Sequence, residues 1–244
     1  MAARARAHSH RLIADWGLTE LNKTLLQRLG SKVLTGPFQG LVLTPMTHKE
    51  HLGPYLLGTY ESELHPWWSE LVRQPFEQIV DVGSKFGYYA VGLARKFPAT
   101  EVIAFDTDKW ARAASQDMVE ANAVINVGIQ SFCSPAWLRS RLRQNALVVS
   151  DCEGYEYDLF CKEHIPALES ATMLIEVHEH STPGVTSELL ERFSPTHSVS
   201  TVVTRSEPPR SPVDLSFLDG EKIRQATNEI RSPQQWMLLV PNHG

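Results

Sequence analysis

Short apolar runs alternate with helical patterns along the chain from Gln78 onward. Gln78–Val82, Glu101–Phe105, 128–132, Ala146–Ser150 and 173–177 have the length and composition of strands. Between and after them, Tyr88–Lys96, 110–121, 137–143, 155–163 and 186–193 carry the longer period of helices. Two later segments, 198–204 and 236–240, supply the last strands. Strands alternating with helices predict βαβ units and a mostly parallel sheet with helices on both faces.

The first part of the chain has a different texture. Leu12, Ile13, Trp16, Leu18, Leu21, Leu25 and Leu29 recur at helical spacing, which predicts one or two helices over 11–29, ending near Gly30. These apolar helices are placed to cap the α/β core or to mediate a homodimer. Residues 33–73 are irregular and punctuated by Gly36-Pro37, Gly40, Gly53-Pro54, Gly58 and Pro66. A plain connector inside a compact domain is shorter than this, so the stretch reads as a lid or binding loop. The resulting division is an N-terminal helical and lid extension over 1–73 and a Rossmann-like α/β domain over 74–244. Glu207 to Pro212 holds three prolines and reads as an exposed turn.

Composition narrows the function class. Across 244 residues, 42% hydrophobic and 21% charged positions are ordinary for a globular protein. A formal charge of −5 gives no general pull toward nucleic acid or an anionic membrane, and no N-P-P-Y-type motif is present. Arg139, Arg141 and Arg143 come close together, a spacing that suits a solvated helix face. Cys133, Cys152 and Cys161 are too few and too irregular for a disulfide framework or a metal knuckle, which fits a reducing cytoplasm. The basic opening MAARARAHSH is not followed by an apolar core of signal-peptide length. No apolar run approaches the roughly 18 residues that a membrane span needs. Partners are therefore expected among small molecules.

The first strand runs into Val80-Asp81-Val82-Gly83-Ser84-Lys85-Phe86-Gly87, and a helical pattern opens at Tyr88-Tyr89-Ala90. Glycines let a ligand approach the backbone, and the helix N-terminus offers unpaired N–H groups. An acid at Asp81 suits a ligand amino group better than a pyrophosphate. The spacing also departs from the G-x-G-x-x-G of dinucleotide sites, with Lys85 standing where many sites carry glycine, which disfavours an NAD enzyme. The second strand ends in Asp106, about 20 residues after Gly87, where a carboxylate accepts from ribose hydroxyls. The competing role for Asp106 is a helix N-cap, open equally to Asp108. Taken together, the two strand ends point to an adenosyl cofactor.

These segments, with Ser150-Asp151-Cys152-Glu153-Gly154-Tyr155-Glu156 and Ile175-Glu176-Val177-His178, resemble the FkbM-type methyltransferases over residues 78 to 180. The D-x-E-G-x-E block is the most specific piece, since glycine-rich first motifs occur in every class I methyltransferase. Phe38, Gly40 and Gly58-Thr59-Tyr60-Glu61 also look like a segment upstream in some relatives. The resemblance implies a class I fold with a seven-stranded sheet whose last strand is antiparallel. It also implies methyl transfer from S-adenosylmethionine to a hydroxyl of a small metabolite, sugar or natural product, leaving S-adenosylhomocysteine. Asp81, Gly83 and Gly87 match the cofactor turn, with Ser84 and Tyr88 beside them. Asp106 matches the ribose-binding acid, followed by Thr107 where the family often has proline after glutamate. Phe132 and Cys133 stand where the adenine lies in this fold. Asp151, Glu153, Glu176 and His178 match the later acidic and E-x-H positions.

Ligands of a doubly wound sheet bind beyond the C-terminal strand ends, where these four residues fall. Methyl transfer is an in-line displacement, so positioning dominates, and a hydroxyl acceptor benefits from a base. His178 is the candidate base, with Asp151 and Glu176 as catalytic partners; the competing reading is a histidine satisfied by those acids. Asp151, Glu153 and Glu176 also form a hard oxygen set suited to magnesium. His178 and His180 share a face, but nothing else supplies zinc-type ligands. Tyr60, Glu61, Glu153 and His180 are the candidate acceptor contacts, and Tyr55, Trp67 and Trp68 line the pocket or pack in the core. The alternatives are N- or peptide methylation and a non-catalytic cofactor-binding scaffold.

Overall fold

The computed structural model describes residues 20–45, 47, 52–161, 165–204, 210–229 and 233–242. The part of the expected N-terminal helix before Glu20 lies outside them. The chain divides into two compact units, Met1–His65 with Ser206–Arg231, and Pro66–Arg205 with Ser232–Gly244. A single cut at 73/74 does not describe this division, because Ser206–Arg231 returns to the first unit. Among the described residues no helix is long and apolar enough to cross a membrane.

The second unit is a seven-stranded sheet in the order β3-β2-β1-β4-β5-β7-β6. Its strands are β1 Gln78–Val82, β2 Glu101–Phe105, β3 Val127–Gln130, β4 Ala146–Ser150, β5 Thr172–Val177, β6 His197–Val203 and β7 Gln235–Pro241. The first five are parallel, and β7 runs antiparallel between β5 and β6. Every residue of β1, β4 and β5 is buried, as expected for central parallel strands covered on both faces. The edge strand β3 instead alternates partly buried and exposed positions. It is shorter than expected, ending at Gln130, which leaves Phe132 and Cys133 in the loop beyond the sheet.

Connectivity positions the site. The chain leaves β1 for β2 on one side and returns to β4 on the other, so the strand order reverses beside β1. Register aligns Val82 with Phe105 and Ser150, and Ser150 with Ile175. Asp106, Gly83, Asp151 and Glu176 therefore succeed one another along a single edge at the topological switch point.

Helices α4 Tyr88–Lys96 and α5 Lys109–Ala121 come after β1 and β2; labels α1 to α3 belong to Glu20–Leu29, Leu52–Leu57 and His65–Leu71. α5 is capped by Asp108, whose carboxylate accepts from the Trp110 amide at 2.8 Å. α6 Pro135–Arg141 is capped by Ser134 and begins with proline. Of the helix expected over 155–163, residues 162–163 lie outside the described residues; the described ones hold α7 Glu156–Leu159, after which Phe160 leaves helical geometry. The physical reason is Arg192, a buried residue of the helix Val185–Phe193. Its guanidinium donates to the carbonyls of Tyr157 and Phe160 at 2.7 and 2.6 Å, satisfying groups that a continuing helix would have paired.

In the first unit, the described residues of the stretch expected as a lid or binding loop include the helix α2. All six residues of α2 are buried, and a Cβ at Gly53 would overlap the Ala226 backbone of the helix Gly220–Thr227. Tyr55 and Tyr60 stack at 4.0 Å. Six buried residues are too short a run to show helical period, which is why the sequence pattern looks irregular here.

Candidate active site

The turn after β1 is fastened to the end of β2. The amides of Gly83 and Ser84 both donate to the Phe105 carbonyl, at 2.8 and 2.9 Å. Gly83 has φ 85, and a Cβ there would overlap the Asp151 carbonyl oxygen, so only glycine fits. Lys85 takes the left-handed conformation at φ 48, and its carbonyl accepts from Ser115 Oγ at 2.8 Å. Asp106 is gripped from both sides, accepting from the Lys85 amide at Oδ2 and the Asp108 amide at Oδ1, each at 2.8 Å. Asp108 caps α5, so the cap role that the sequence left open to both acids falls to Asp108. A carboxylate offers about four lone-pair sites, so Asp106 keeps acceptor capacity for a ligand.

Asp106 lines a cavity of about 330 Å³ together with Gly83, Thr107, Phe132, Cys133 and Glu153. Ser131, Cys152 and Tyr155 line it too. Nothing in the sequence marked Ser131, but Cys152 and Tyr155 occupy the variable positions of the D-x-E-G-x-E block. Phe132 is half exposed and its ring lies 5.5 Å from that of Tyr155, an aromatic ledge suited to a flat heterocycle.

Asp81, Ser84, Gly87 and Tyr88 are not among the lining residues. Gly87, at φ 84, ends the turn before α4, and a Cβ there would press on Ser115 and Val91, so it serves helix packing. Tyr88 is buried edge-on against Tyr89. Asp81 is buried at the end of β1, where burial pushes its carboxyl up to about 7. The Ala90 amide opposes that rise, and the charges of Asp151 and Asp106 add to it. Asp81 Oδ2 and Ser84 Oγ are buried without hydrogen-bond partners, a demand that a polar ligand would meet.

The acidic block folds around one histidine. Glu153 and Gly154 are both left-handed, at φ 57 and 107, which turns the chain sharply after β4. A Cβ on Gly154 would stand 2.8 Å from the Ser181 Cβ, and Thr182 Oγ1 donates to the Gly154 carbonyl at 3.0 Å. The turn is thereby held against the segment after β5. His178, 1% exposed, places Nδ1 2.8 Å from Glu156 Oε1 and Nε2 3.5 Å from both Asp151 Oδ1 and Glu153 Oε2. Glu156 Oε1 also accepts from the Cys152 amide at 3.2 Å.

Charges within the cluster are mutually tuned. Burial pushes the Glu156 carboxyl up, but its hydrogen bond to His178 and backbone contacts outweigh burial and hold it below the usual range. Burial pushes the His178 imidazolium down, yet the Glu156 hydrogen bond and the charges of Glu156, Asp151 and Glu153 raise it overall. Asp151 is raised by burial, against a hydrogen bond with Glu176 and the His178 charge.

Of the expected catalytic group, Asp151, Glu176 and His178 do come together. Two expectations change in detail. The imidazole Nε2 is turned toward two carboxylates and shielded from solvent, not presented alone to an acceptor. The converging ligand set, with atoms all within 4.8 Å, is Asp151, Glu153 and His178, in place of the all-carboxylate magnesium set containing Glu176. Glu176 is buried and engaged with Asp151. Glu156 closes the D-x-E-G-x-E block, but sequence reasoning gave it no place in the site. His180 is exposed, its ring 5.7 Å from that of His178. Tyr60 and Glu61 belong to the first unit, where the Glu61 amide donates to Glu229 Oε1 at 3.0 Å. Trp68, fully buried, packs on Tyr89 in the second.

No protein-family model matches the sequence, and no curated protein matches it. Among solved structures, the C-terminal domain of precorrin-6Y C5,15-methyltransferase from Rhodobacter capsulatus aligns with a TM-score of 0.50 at 11% identity, covering 74% of this chain and 89% of that one. With the strand order above, this establishes the Rossmann-like fold of class I methyltransferases. The O-methyltransferase TomG from Streptomyces achromogenes, solved with S-adenosylmethionine, aligns with a TM-score of 0.49 at 13% identity over 83% of each chain. An rRNA methylase from Streptococcus thermophilus gives 0.49 at 11% identity, over 72% of this chain and 95% of that one.

Proposed function

We propose that the protein is an S-adenosylmethionine-dependent methyltransferase of FkbM type that methylates a hydroxyl oxygen on a small metabolite, sugar or natural product. One observation carries the reading. Glu153 lines the same cavity as Asp106 and lies 3.5 Å from His178, so one side chain links the nucleoside-type end to the acid–imidazole cluster.

The residues fit the cofactor. The Gly83 turn admits a close ligand, Asp106 is presented for ribose hydroxyls, and Phe132 with Tyr155 offers the flat surface an adenine needs. The orphaned Asp81 and Ser84 oxygens await polar groups, and an ionised Asp81 suits an α-amino cation. When bound, S-adenosylmethionine supplies an electrophilic methyl on a sulfonium. The chain's own work is then to hold the acceptor in line and to take its proton. Glu153, with an 82% exposed side chain, is the acceptor contact, and Asp151, Glu153 and His178 act as one proton-accepting group. The buried Glu156 carboxylate, 2.8 Å from Nδ1, stabilises the imidazolium that forms when the group takes that proton.

The test is transfer of labelled methyl from S-adenosylmethionine across a panel of hydroxylated metabolites, with products identified by mass spectrometry as ethers, amines or esters. Ethers support the reading. Methylated amines or peptides from the same enzyme would replace the acceptor class, and cofactor binding without any transfer would favour a scaffold.

A further inference from the structure

We propose that Asp151 Oδ1, Glu153 Oε2 and His178 Nε2 form a site for a divalent transition-metal cation. Distances within the cluster support it first. The imidazole Nε2 stands 3.5 Å from each carboxylate oxygen. That is long for a charge-assisted hydrogen bond, whose usual length is about 2.7–2.9 Å. Two ligands each about 2.1 Å from one ion, at angles between octahedral and tetrahedral, lie roughly 3.0–3.4 Å apart. The two edges from Nε2 are close to that value, and one ligand atom from each of the three residues lies within 4.8 Å of the others.

Unmet hydrogen-bonding capacity supports it independently of the cluster's acidic character. Asp151 Oδ1 is buried without a hydrogen-bond partner. His178 is 1% exposed, and its Nε2 stands 3.5 Å from that oxygen. One buried, unpartnered carboxylate oxygen is therefore turned toward the imidazole Nε2 with room between them. A cation there satisfies that oxygen.

The surroundings are those of a ligand. Metal-bound imidazoles donate their other N–H to a carboxylate, which fixes the tautomer and leaves the opposite lone pair for the ion. Here Nδ1 is 2.8 Å from Glu156 Oε1, and Glu156 is fully buried. The left-handed pair Glu153 and Gly154 sets the third donor in place. Only three protein donors converge among the described residues, and the Glu153 side chain is 82% exposed, so further coordination positions are open to water or substrate. One nitrogen and two carboxylates select manganese, iron or zinc over magnesium, which prefers oxygen ligands alone. With the cation bound, the three donors no longer serve as the proton-accepting group, and the ion instead acidifies the acceptor hydroxyl as a Lewis acid; that consequence rests on the methyl-transfer reading, and the binding itself does not.

The test uses the full-length protein stripped with chelator and then dialysed. Mn²⁺ is titrated in and free ion is followed by electron paramagnetic resonance, with Zn²⁺ calorimetry alongside. The expected result is one equivalent bound, at least tenfold weaker in Asp151→Asn and His178→Gln and unchanged in His180→Ala. Absence of binding to the folded wild type overturns the proposal, as does loss of binding in His180→Ala with retention in His178→Gln. Where a variant does not fold, ¹⁵N-histidine spectra of the wild type decide. Zn²⁺ should shift the His178 Nε2 resonance while Nδ1 stays protonated, and an unmoved Nε2 sinks the site. S-adenosylmethionine affinity is measured separately on the stripped protein. Cofactor binding without cation binding refutes this inference alone, and the converse refutes the methyltransferase reading alone.

Discussion

Gly83 and Asp151 are in backbone contact: the α-carbon of the first leaves no room for a side chain beside the carbonyl oxygen of the second. This closeness joins the Gly83 turn to the acidic block, because the ends of β1 and β4 are paired through Val82 and Ser150. It also fixes the spacing between anything bound at the turn and anything bound at the acids.

Gly83→Ala should therefore fail on two counts. A non-glycine residue at φ 85 is strained, and the new methyl meets fixed backbone. A loss of at least about 2 kcal/mol is expected, read from urea denaturation, with cofactor binding lost in whatever protein remains folded. Wild-type stability in this variant would mean that the two turns move apart freely.

Asp106 and Asp108 separate cleanly as a pair. Asp106→Ala should weaken adenosyl-cofactor binding by ~1–3 kcal/mol through lost charge-assisted hydrogen bonds. Asp108→Ala should cost roughly 1 kcal/mol of stability through the lost cap of α5 and leave cofactor affinity alone. Calorimetry and thermal melts on the two variants check this, and a reversed pattern would exchange their roles.

Asp81 provides a pH signature. Its folded carboxyl titrates at about 7, above the ordinary unfolded value of about 3.8. Its contribution to stability is thus fully present below pH ~4 and is lost as pH rises through ~7. A cationic ligand amino group favours the ionised form, so cofactor affinity should rise across the same window with release of a proton. Titrations at pH 6 in buffers of different ionisation enthalpy report that proton, and Asp81→Asn should abolish it.

His178 has the same sign for a different cause. Its folded pKa is raised by Glu156 and the neighbouring acids, so its contribution is present below the unfolded value of ~6.5 and is lost as pH rises through the raised one. His178→Ala should cut turnover by roughly 10²–10⁴ while cofactor affinity stays near wild type. Near-normal turnover would remove His178 from the chemistry.

The central strands were legible because burial on both faces forces continuous apolar runs, and β1, β2 and β4 begin and end where those runs do. Elements set by tertiary partners were not. α7 stops where Arg192 from a distant helix takes its carbonyls, and nothing near Phe160 announces that. α2 is buried on all sides, which erases its period, and Ser206–Arg231 joins the first unit through contacts no local pattern shows. At the site, acids and glycines could be read as a set, but their division of labour could not. Which of Asp106 and Asp108 caps a helix depends on the backbone. That Glu156, and not Glu176, holds His178 depends on the left-handed turn at Glu153 and Gly154.

Whether the chain is built for an adenosyl cofactor is decided by calorimetric titration of the folded protein with S-adenosylmethionine and S-adenosylhomocysteine, with NAD as control and divalent cation present or absent. Micromolar binding of both adenosyl ligands is expected, with or without cation, and none of NAD. Failure of both to bind a folded protein, or a preference for NAD, would contradict the assignment.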